Sequence, residues 1–414
     1  MANLSRDALA RLDATDPLAR KRVEFDLPRG VIYLDGNSLG ALPKRVAERM
    51  RRAVEEEWGR GLVRSWNDAG WYPAPQRAGA AIARLTGAQP HEVVVCDSTS
   101  VNLFKVLVAA LRKRPDRRII VSEQGNFPTD VYVNAGAAEL TGAELRCVEP
   151  DEVEAAIEAT GNDLALVQLT QVNYRTGRVY DMARVTRLAH QHGGLAVWDL
   201  SHSTGTLPVE LNACRADFAV GCGYKYLNGG PGAPAFVFVA ERHLAGLQQP
   251  LQGWHGHAQP FAFTQDYEPH AGIDRMLVGT APQLSLIALE EALSVFEDVD
   301  MQALRAKGSA LGDCFIRLVD QELAGRGFGL ASPRDAATRG SQVSLTHPQG
   351  YSIMQALIAR GVIGDFRAPD VLRFGFAALY LRYVDIWDAV AALKEVMDTR
   401  GWDRPEFHAR KAVT

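Results

Sequence analysis

Between Leu195 and Gly232 the chain reads LAVWDLSHSTGTLPVELNACRADFAVGCGYKYLNGGPG. No other stretch limits the fold so tightly. Leu195 to Trp198 is a short apolar run that ends on Asp199, with His202 close behind. A second apolar run, Asp217 to Cys222, leads into Gly223-Tyr224-Lys225-Tyr226. Asn228-Gly229-Gly230-Pro231-Gly232 follows and must bend. Apolar runs of this kind fit strands buried on both faces of a parallel sheet. Ligands of open α/β sheets gather at the carboxyl ends of such strands.

A lysine between two tyrosines and backed by glycines is an unusual place for a solvated charge. Burial lowers a lysine's pKa and gives the free amine that imine formation needs. An acid at the preceding strand end would hold a pyridine nitrogen protonated, the other requirement of pyridoxal phosphate. Two plainer readings stand beside this one: Lys225 as a solvated loop residue, and Asp199 as a helix cap. Either residue alone favours the plain reading. The pair, on two successive strand ends, favours the cofactor.

Composition narrows the partners. The chain has 414 residues, 47% hydrophobic, enough for a large core and two or three domains. Net charge is −4 and the pI about 6.2, so no basic face for nucleic acid is expected. The basic runs Arg112-Lys113-Arg114 and Arg117-Arg118 read as a solvated helix end. Five cysteines, an odd number without metal-site spacing, predict free thiols in a reducing compartment and no metal. The start, MANLSRDALARLDATD, has no apolar core of a signal peptide, and no run approaches the ~20 residues of a membrane span. A soluble, cytoplasmic protein is the expectation, with no membrane partner.

Along the chain, residues 5–25 read as an amphipathic helix and Val31 to Leu34 as a strand. The turn cluster Asp35-Gly36-Asn37-Ser38-Leu39-Gly40 comes next. Pro43 then opens a helix to about Gly59, with Val46, Met50, Val54 and Trp58 on its apolar stripe. Trp66, Trp71 and Tyr72 crowd a loop that is either pocket wall or core. Gln76 to Thr86 reads as a helix and Val93 to Val95 as a buried strand. Asp97-Ser98-Thr99-Ser100 starts the apolar helix Val101 to Leu111. That turn is either an anion site or an ordinary cap with surplus hydroxyls.

Ile119 to Val121 is the next strand, with Phe127-Pro128-Thr129-Asp130 beyond it. Phe127 could stack on a flat ring, though a core Phe beside a turn is the plainer reading. Leu164 to Leu169 is a strand ending at Thr170, Val179 to Gln191 a helix, and Ala235 to Val239 a strand. The alternation from about 90 to 240 predicts a large, mostly parallel sheet covered on both faces.

Gln252 to Thr280 is irregular, and Pro282 to Val295 reads as a helix. From 300 to 400 the pattern turns α+β, which predicts a smaller second domain. The expected division is an N-terminal segment 1–60 packing with the small domain, a large domain 61–295, and a small domain 296–414. In the last, Arg373 lies inside Val371-Leu372-Arg373-Phe374-Gly375-Phe376 and needs a carboxylate partner. An internal Asp or Glu and the α-carboxylate of an amino-acid substrate both remain open.

With these residues in view, the chain resembles pyridoxal-phosphate enzymes of the aspartate-aminotransferase fold type (fold type I), and more narrowly the bacterial kynureninase family. The stretches that carry the likeness run nearly end to end. They include IYLDGNSLG (32–40), RSWNDAGW (64–71), STSVNLFK (98–105), NFPTD (126–130), VNYRTG (172–177), WDLSHSTG (198–205), GYKYLNGGPG (223–232), GWHGH (253–257), RGVIGDFR (360–367) and LRFGFAALY (372–380). The resemblance implies Lys225 as the Schiff-base lysine, Asp199 on the pyridinium nitrogen with Asp130 in support, and Phe127 on the ring face. Pro128 and Thr129 belong to the same implied cofactor set. Thr99, Ser100 and Tyr224 would hold the phosphate region, and His202 and Thr170 would line the cofactor. Trp254 and Thr280 would reach the phosphate from the other subunit of a homodimer. Arg373 would bind the substrate carboxylate and Trp66 would lie near the substrate's aromatic ring. His255 stands where the resemblance leads one to expect Phe.

The implied reaction hydrolyses L-kynurenine to anthranilate and L-alanine, in tryptophan breakdown by the kynurenine pathway, which also feeds NAD biosynthesis. 3-Hydroxy-L-kynurenine, which would give 3-hydroxyanthranilate, is not ranked against it. Lys225 would act as general base and Tyr224 as a proton relay. The rivals are a cysteine desulfurase or an aminotransferase of the same fold, and a pyridoxal-phosphate-binding regulator without catalysis. A desulfurase needs a reactive, exposed cysteine on a loop, and Cys96, Cys222 and Cys314 fit that poorly. No G-x-S-x-G elbow marks a cofactor-free α/β hydrolase.

Overall fold

The computed structural model describes residues 4–411. Residues 1–3 and 412–414, the outer ends of the expected N-terminal segment and small domain, lie outside the described residues. In chain order the strands are β1 (Ile32–Tyr33), β2 (Val93–Val95), β3 (Ile119–Glu123), β4 (Glu144–Val148), β5 (Leu164–Thr170), β6 (Leu195–Asp199), β7 (Phe218–Gly221), β8 (Phe236–Val239), β9 (Gly329–Leu330), β10 (Gln342–Thr346), β11 (Val362–Ile363), β12 (Asp365–Arg367) and β13 (Val371–Gly375).

Seven of these form one sheet, ordered β2-β8-β7-β6-β5-β3-β4. Strands β4, β3, β5, β6 and β7 are mutually parallel, because each crossover between them carries enough chain to return over a face. Strand β8 runs antiparallel to both its neighbours. Only the lysine loop separates it from β7, and a short connection permits antiparallel pairing alone. Strands β2, β3, β5, β6, β7 and β8 are buried along their whole length. The edge strand β4 has no buried residue.

The helix Thr99–Arg112 begins where the Ser98 hydroxyl accepts the Val101 N–H at 3.3 Å. Its apolar side chains fill one face of the sheet with Val94, Ile120 and Val220.

A second, antiparallel sheet, β12-β13-β10-β9, lies among the helices Met301–Glu322, Gly350–Ile358 and Tyr383–Asp398. The N-terminal segment joins this part. Strand β1 pairs with β11, Arg6 pairs with Asp388 at 2.8 Å, and Asp13 accepts the Tyr383 N–H at 2.6 Å. The helix Lys44–Arg52 instead packs on Gln283–Leu293.

Three sequence expectations change. Residues 5–25 are an α-helix only over Arg6–Ala14, then a 3-10 turn at Ala19–Glu24. Pro17 breaks the run, since the residue before a proline is pushed out of helical geometry. The helix after Pro43 turns α into π at Ala53–Gly61. The wider turn rotates the expected stripe, so Val54 and Trp58 are 41% and 56% exposed while Ala53 is buried. The helices Pro128–Thr141 and Val153–Thr160 and the edge strand β4 add elements between 128 and 163 that the sequence reading did not name.

Candidate active site

Lys225 sits in the loop that reverses the chain between β7 and β8. Gly229 N–H donates to the Gly223 carbonyl and Asn228 N–H to the Lys225 carbonyl, both at 2.9 Å. Asn228 takes the left-handed conformation at φ +60°. The turn Asp35 to Gly40 leans on this loop: Gly40 N–H donates to the Tyr224 carbonyl at 2.8 Å. A Cβ on Gly40 would lie 2.2 Å from the Lys225 carbonyl oxygen.

The Lys225 Nζ lies 2.9 Å from His202 Nε2. It also lies 5.8 Å from the Tyr224 ring centre and 5.9 Å from that of Phe127. Burial, and then the lysine's charge, hold the His202 imidazole well below its usual pKa, so the ring is neutral. Its Nδ1 is buried without a hydrogen-bond partner.

Asp199 ends β6 and accepts the Ser201 N–H at 2.6 Å. Asp130, in the first turn of the helix Pro128–Thr141, accepts from Gln168 Nε2 at 2.9 Å and lies 3.1 Å from the Thr170 hydroxyl. Burial pushes both carboxyls up. The charge of Asp199 drives Asp130 further the same way, while Ser201 and Lys225 draw Asp199 back.

Thr99, Ser100, Phe127, Thr129, Asp130, Thr170, Asp199, His202, Tyr224 and Lys225 all line one cavity of about 170 Å³. Thr99 and Ser100 open a helix whose first N–H groups have no intrahelical acceptor, a place for an anion. Pro128 does not line the cavity and serves as the first residue of its helix. Tyr174 and Ser201 join the lining, and Tyr174 stands edge-on to Phe127 at 5.2 Å. The sequence reading gave these two no role. Gln168 and Asn134, which tie Asp130 into a buried amide network, were also missed. A glutamine inside the apolar run LALVQLT was the available signal.

Arg373 is 2% exposed and finds the internal partner. Its Nε donates to Asp365 Oδ1 at 2.6 Å, and Nη2 also meets Asp365. Nη1 donates to the Tyr174 carbonyl at 2.7 Å and Nη2 to Ser38 Oγ at 3.0 Å. The guanidinium lies over the Tyr174 ring, 5.9 Å from its centre.

Trp66, Trp254 and Thr280 are not in the lysine cavity of the same chain. They line a second cavity of about 640 Å³ with Val63, Asn67, Tyr72 and Phe261. Trp71 is core: its Nε1 donates to Glu57 at 2.8 Å and it packs edge-on to Trp66. His255 is buried, stacks on Trp254 at 4.9 Å and approaches the Gly279 carbonyl at 3.3 Å.

A family model described as "Kynureninase C-terminal domain" matches residues 304–393. Curated kynureninases of Burkholderia mallei (strain SAVP1) and Pseudomonas fluorescens are each 51% identical to this chain over 416 and 415 aligned residues. The alignments cover 99% of this chain and 100% and 99% of those proteins. Among solved structures, the apo cysteine desulfurase of Thermococcus onnurineus NA1 matches with a TM-score of 0.79 at 19% identity, over 96% of this chain and 100% of that one. A cysteine desulfurase of Escherichia coli matches with 0.77 at 20%, over 92% and 98%. At such identities the likeness is one of fold: a large, mostly parallel sheet under helices, with a smaller α+β part.

Proposed function

The chain belongs to the kynureninase family, and from that membership we propose that it hydrolyses L-kynurenine to anthranilate and L-alanine with pyridoxal phosphate in the Lys225 cavity. The observation that carries this reading is the opening of Asp199, at the end of β6, and Lys225, in the loop that follows the neighbouring parallel strand β7, into one small polar cavity. The residues fit the cofactor on their own chemistry. An amine, a buried acid, an aromatic wall and the start of a helix surround the space, and the buried His202 Nδ1 is left with hydrogen-bonding capacity to spare.

Bound there, the cofactor supplies an electron sink for the carbanion formed beside the amino-bearing carbon. The chain's own residues do the rest. Lys225 holds the cofactor's aldehyde carbon and then moves the Cα proton. His202, neutral and 2.9 Å away, takes a hydrogen bond from the amine and fixes its direction. Asp199 would hold the positive charge on the ring nitrogen, with Asp130, held by Gln168 and Thr170, in support from the same cavity. Phe127 would cover a ring face, and Thr129 lines the same cavity. Thr99 and Ser100 hold the phosphate with Tyr224. Burial keeps the Tyr224 phenol protonated through the neutral range, so it can donate a proton near the substrate's β-carbon.

Arg373 is proposed to grip the substrate carboxylate. Asp365 clamps the Nε side of the guanidinium, which aims its Nη1 edge at the Tyr174 backbone beside the cavity. 3-Hydroxy-L-kynurenine, giving 3-hydroxyanthranilate, is the second substrate to test. The place of the reaction is the kynurenine pathway of tryptophan breakdown, shared with NAD biosynthesis, in the cytoplasm. The division at residues 1–60, 61–295 and 296–414 belongs to the same reading; the separate seven-stranded and four-stranded sheets support the split between large and small parts, whereas Lys44–Arg52, packed on Gln283–Leu293, sides with the large one.

A homodimer with shared sites completes the proposal. Trp254 and Thr280, and Trp66 with them, would reach the partner's cofactor and substrate. Trp58, Leu62, Val63, Phe261 and Phe263 are exposed apolar residues on the same segments. A grouping of this kind marks an association surface.

Desulfuration is disfavoured by the thiols themselves. Burial pushes the Cys96 and Cys314 thiols up to about 11, and Cys222 upward as well, so none is a ready nucleophile. With purified protein and L-kynurenine, anthranilate fluorescence should appear in step with alanine, with no keto acid added. Keto-acid products, or sulfide released from a cysteine substrate while kynurenine stays inert, would overturn the assignment.

A further inference from the structure

Lys105 is wholly buried, and the reaction described above does not use it. Its ammonium has three acceptors: Asp97 Oδ2 at 2.7 Å, the Met276 carbonyl at 2.6 Å and Cys96 Sγ at 3.4 Å. That exhausts an ammonium's donors. Asp97 directly precedes the capping Ser98 and stands in the left-handed conformation at φ +48°. Its carboxylate therefore sits at the same helix start that presents Thr99 and Ser100 to the cavity. An unbalanced carboxylate there would oppose a phosphate dianion, since both compete for one positive helix end. Lys105, two turns along the same helix, reaches back and cancels that charge.

The third contact extends the role. Met276 lies in the segment that ends at Thr280. The same segment holds His255 through the Val278 carbonyl, 3.2 Å from the His255 N–H. One ammonium thus ties the helix start in this chain's cavity to the segment bearing Trp254 and Thr280.

We propose that Lys105 is a positioning residue for the phosphate end of the cofactor, neutralising Asp97 beneath the helix start and anchoring the Trp254–Thr280 segment to the same point. This rests on the pyridoxal-phosphate reading, so the test contains that reading as its control. Apoprotein would be titrated with pyridoxal phosphate and with unphosphorylated pyridoxal, following imine absorbance and the phosphorus resonance of the bound phosphate. If wild type forms no imine with pyridoxal phosphate, the functional reading fails, whatever Lys105 does. Given a wild-type imine, Lys105→Met should weaken pyridoxal phosphate by about tenfold or more while pyridoxal changes far less, as expected of one unbalanced charge near the phosphate.

Lys105→Met/Asp97→Asn, which leaves no unpaired charge, should recover most of the preference for the phosphorylated form. Equal weakening of both aldehydes, or unchanged binding of both, would overturn the proposal. Should Lys105→Met fail to fold, Asp97→Asn decides alone, because asparagine tolerates the left-handed turn. Its preference for pyridoxal phosphate should equal or exceed that of wild type, and a fall would count against the proposal.

Discussion

Asp199 and Asp130 lie within one buried cavity, yet their surroundings differ. Asp199 has the Ser201 N–H, whereas Asp130 has the Gln168 amide and the Thr170 hydroxyl and the charge of Asp199 against it; the charge of Lys225 draws both carboxyls down. On the proposed reading, Asp199 is the acid that holds the cationic ring nitrogen. Asp199→Asn should keep the cofactor as an imine but cut anthranilate production by orders of magnitude, because a neutral amide cannot hold the pyridinium proton. Near-normal turnover with the imine intact would remove the electron-sink role.

A third carboxyl couples stability to pH. Burial, then the neighbouring Asp365, pushes Asp35 from 3.8 to about 7. The unfolded chain ionises this group near its ordinary value, so the folded state binds the extra proton between about pH 4 and 7. The stabilisation is complete below that window and is lost as pH rises through about 7. Asp35→Asn should flatten the fall, leaving the variant more stable than wild type at pH 8 by urea midpoint. Parallel midpoints at pH 5 and 8 would contradict this. At this scale the sequence revealed residues at strand ends, such as Lys225, Asp199 and Thr170, because strand ends can be located from the apolar runs. It hid Tyr174, Ser201 and the Asp365 partner of Arg373, which come together only through tertiary contacts between loops and a second sheet.

Elements reach the site by close backbone approach, and the turn Asp35–Gly40 is the clearest case. It carries no group that lines the cavity, yet a Cβ on Gly40 would also stand 2.6 Å from the Asn228 Cα. Both obstacles are backbone atoms of the lysine loop and cannot swing aside. Gly40→Ala should lower stability by about 1–3 kcal/mol, the usual cost of overpacking. It should also weaken the Lys225 imine. Gly136→Ala is the matched comparison: it lies mid-helix with nothing within 4 Å, so it should be neutral or stabilising. Equal melting temperatures for the two variants would sink the idea that the turn braces the loop. The apolar strands were legible because full burial leaves a continuous hydrophobic run. The edge strand β4 and the helix after Phe127 were not, since ELRCV and PTDVYVNAGAAELT keep much of their surface in solvent. The π-turn at Ala53–Gly61 has no signature in residue spacing, which is why Val54 and Trp58 were misplaced.

At the scale of the whole molecule, the proposed shared site divides into two sets of residues that stand apart within one chain. The Lys225 cavity holds the amine, the acids and the helix start, while Trp66, Trp254 and Thr280 line a different space beside exposed Phe261 and Val63. Mixing inactive variants tests whether the halves meet across a homodimer. Lys225→Ala destroys the first half and Trp254→Ala/Thr280→Val the second. After subunit exchange, half of a random population is hybrid, and each hybrid dimer has one site built wholly from intact halves. The mixture should therefore reach about a quarter of wild-type activity, well above the sum of its parts, as closed two-fold symmetry requires. If each site were built within one chain, exchange would restore nothing beyond the residual activity of the second variant. Fluorescence transfer between labelled subunits would show that exchange had taken place, so a flat result would count against the shared site.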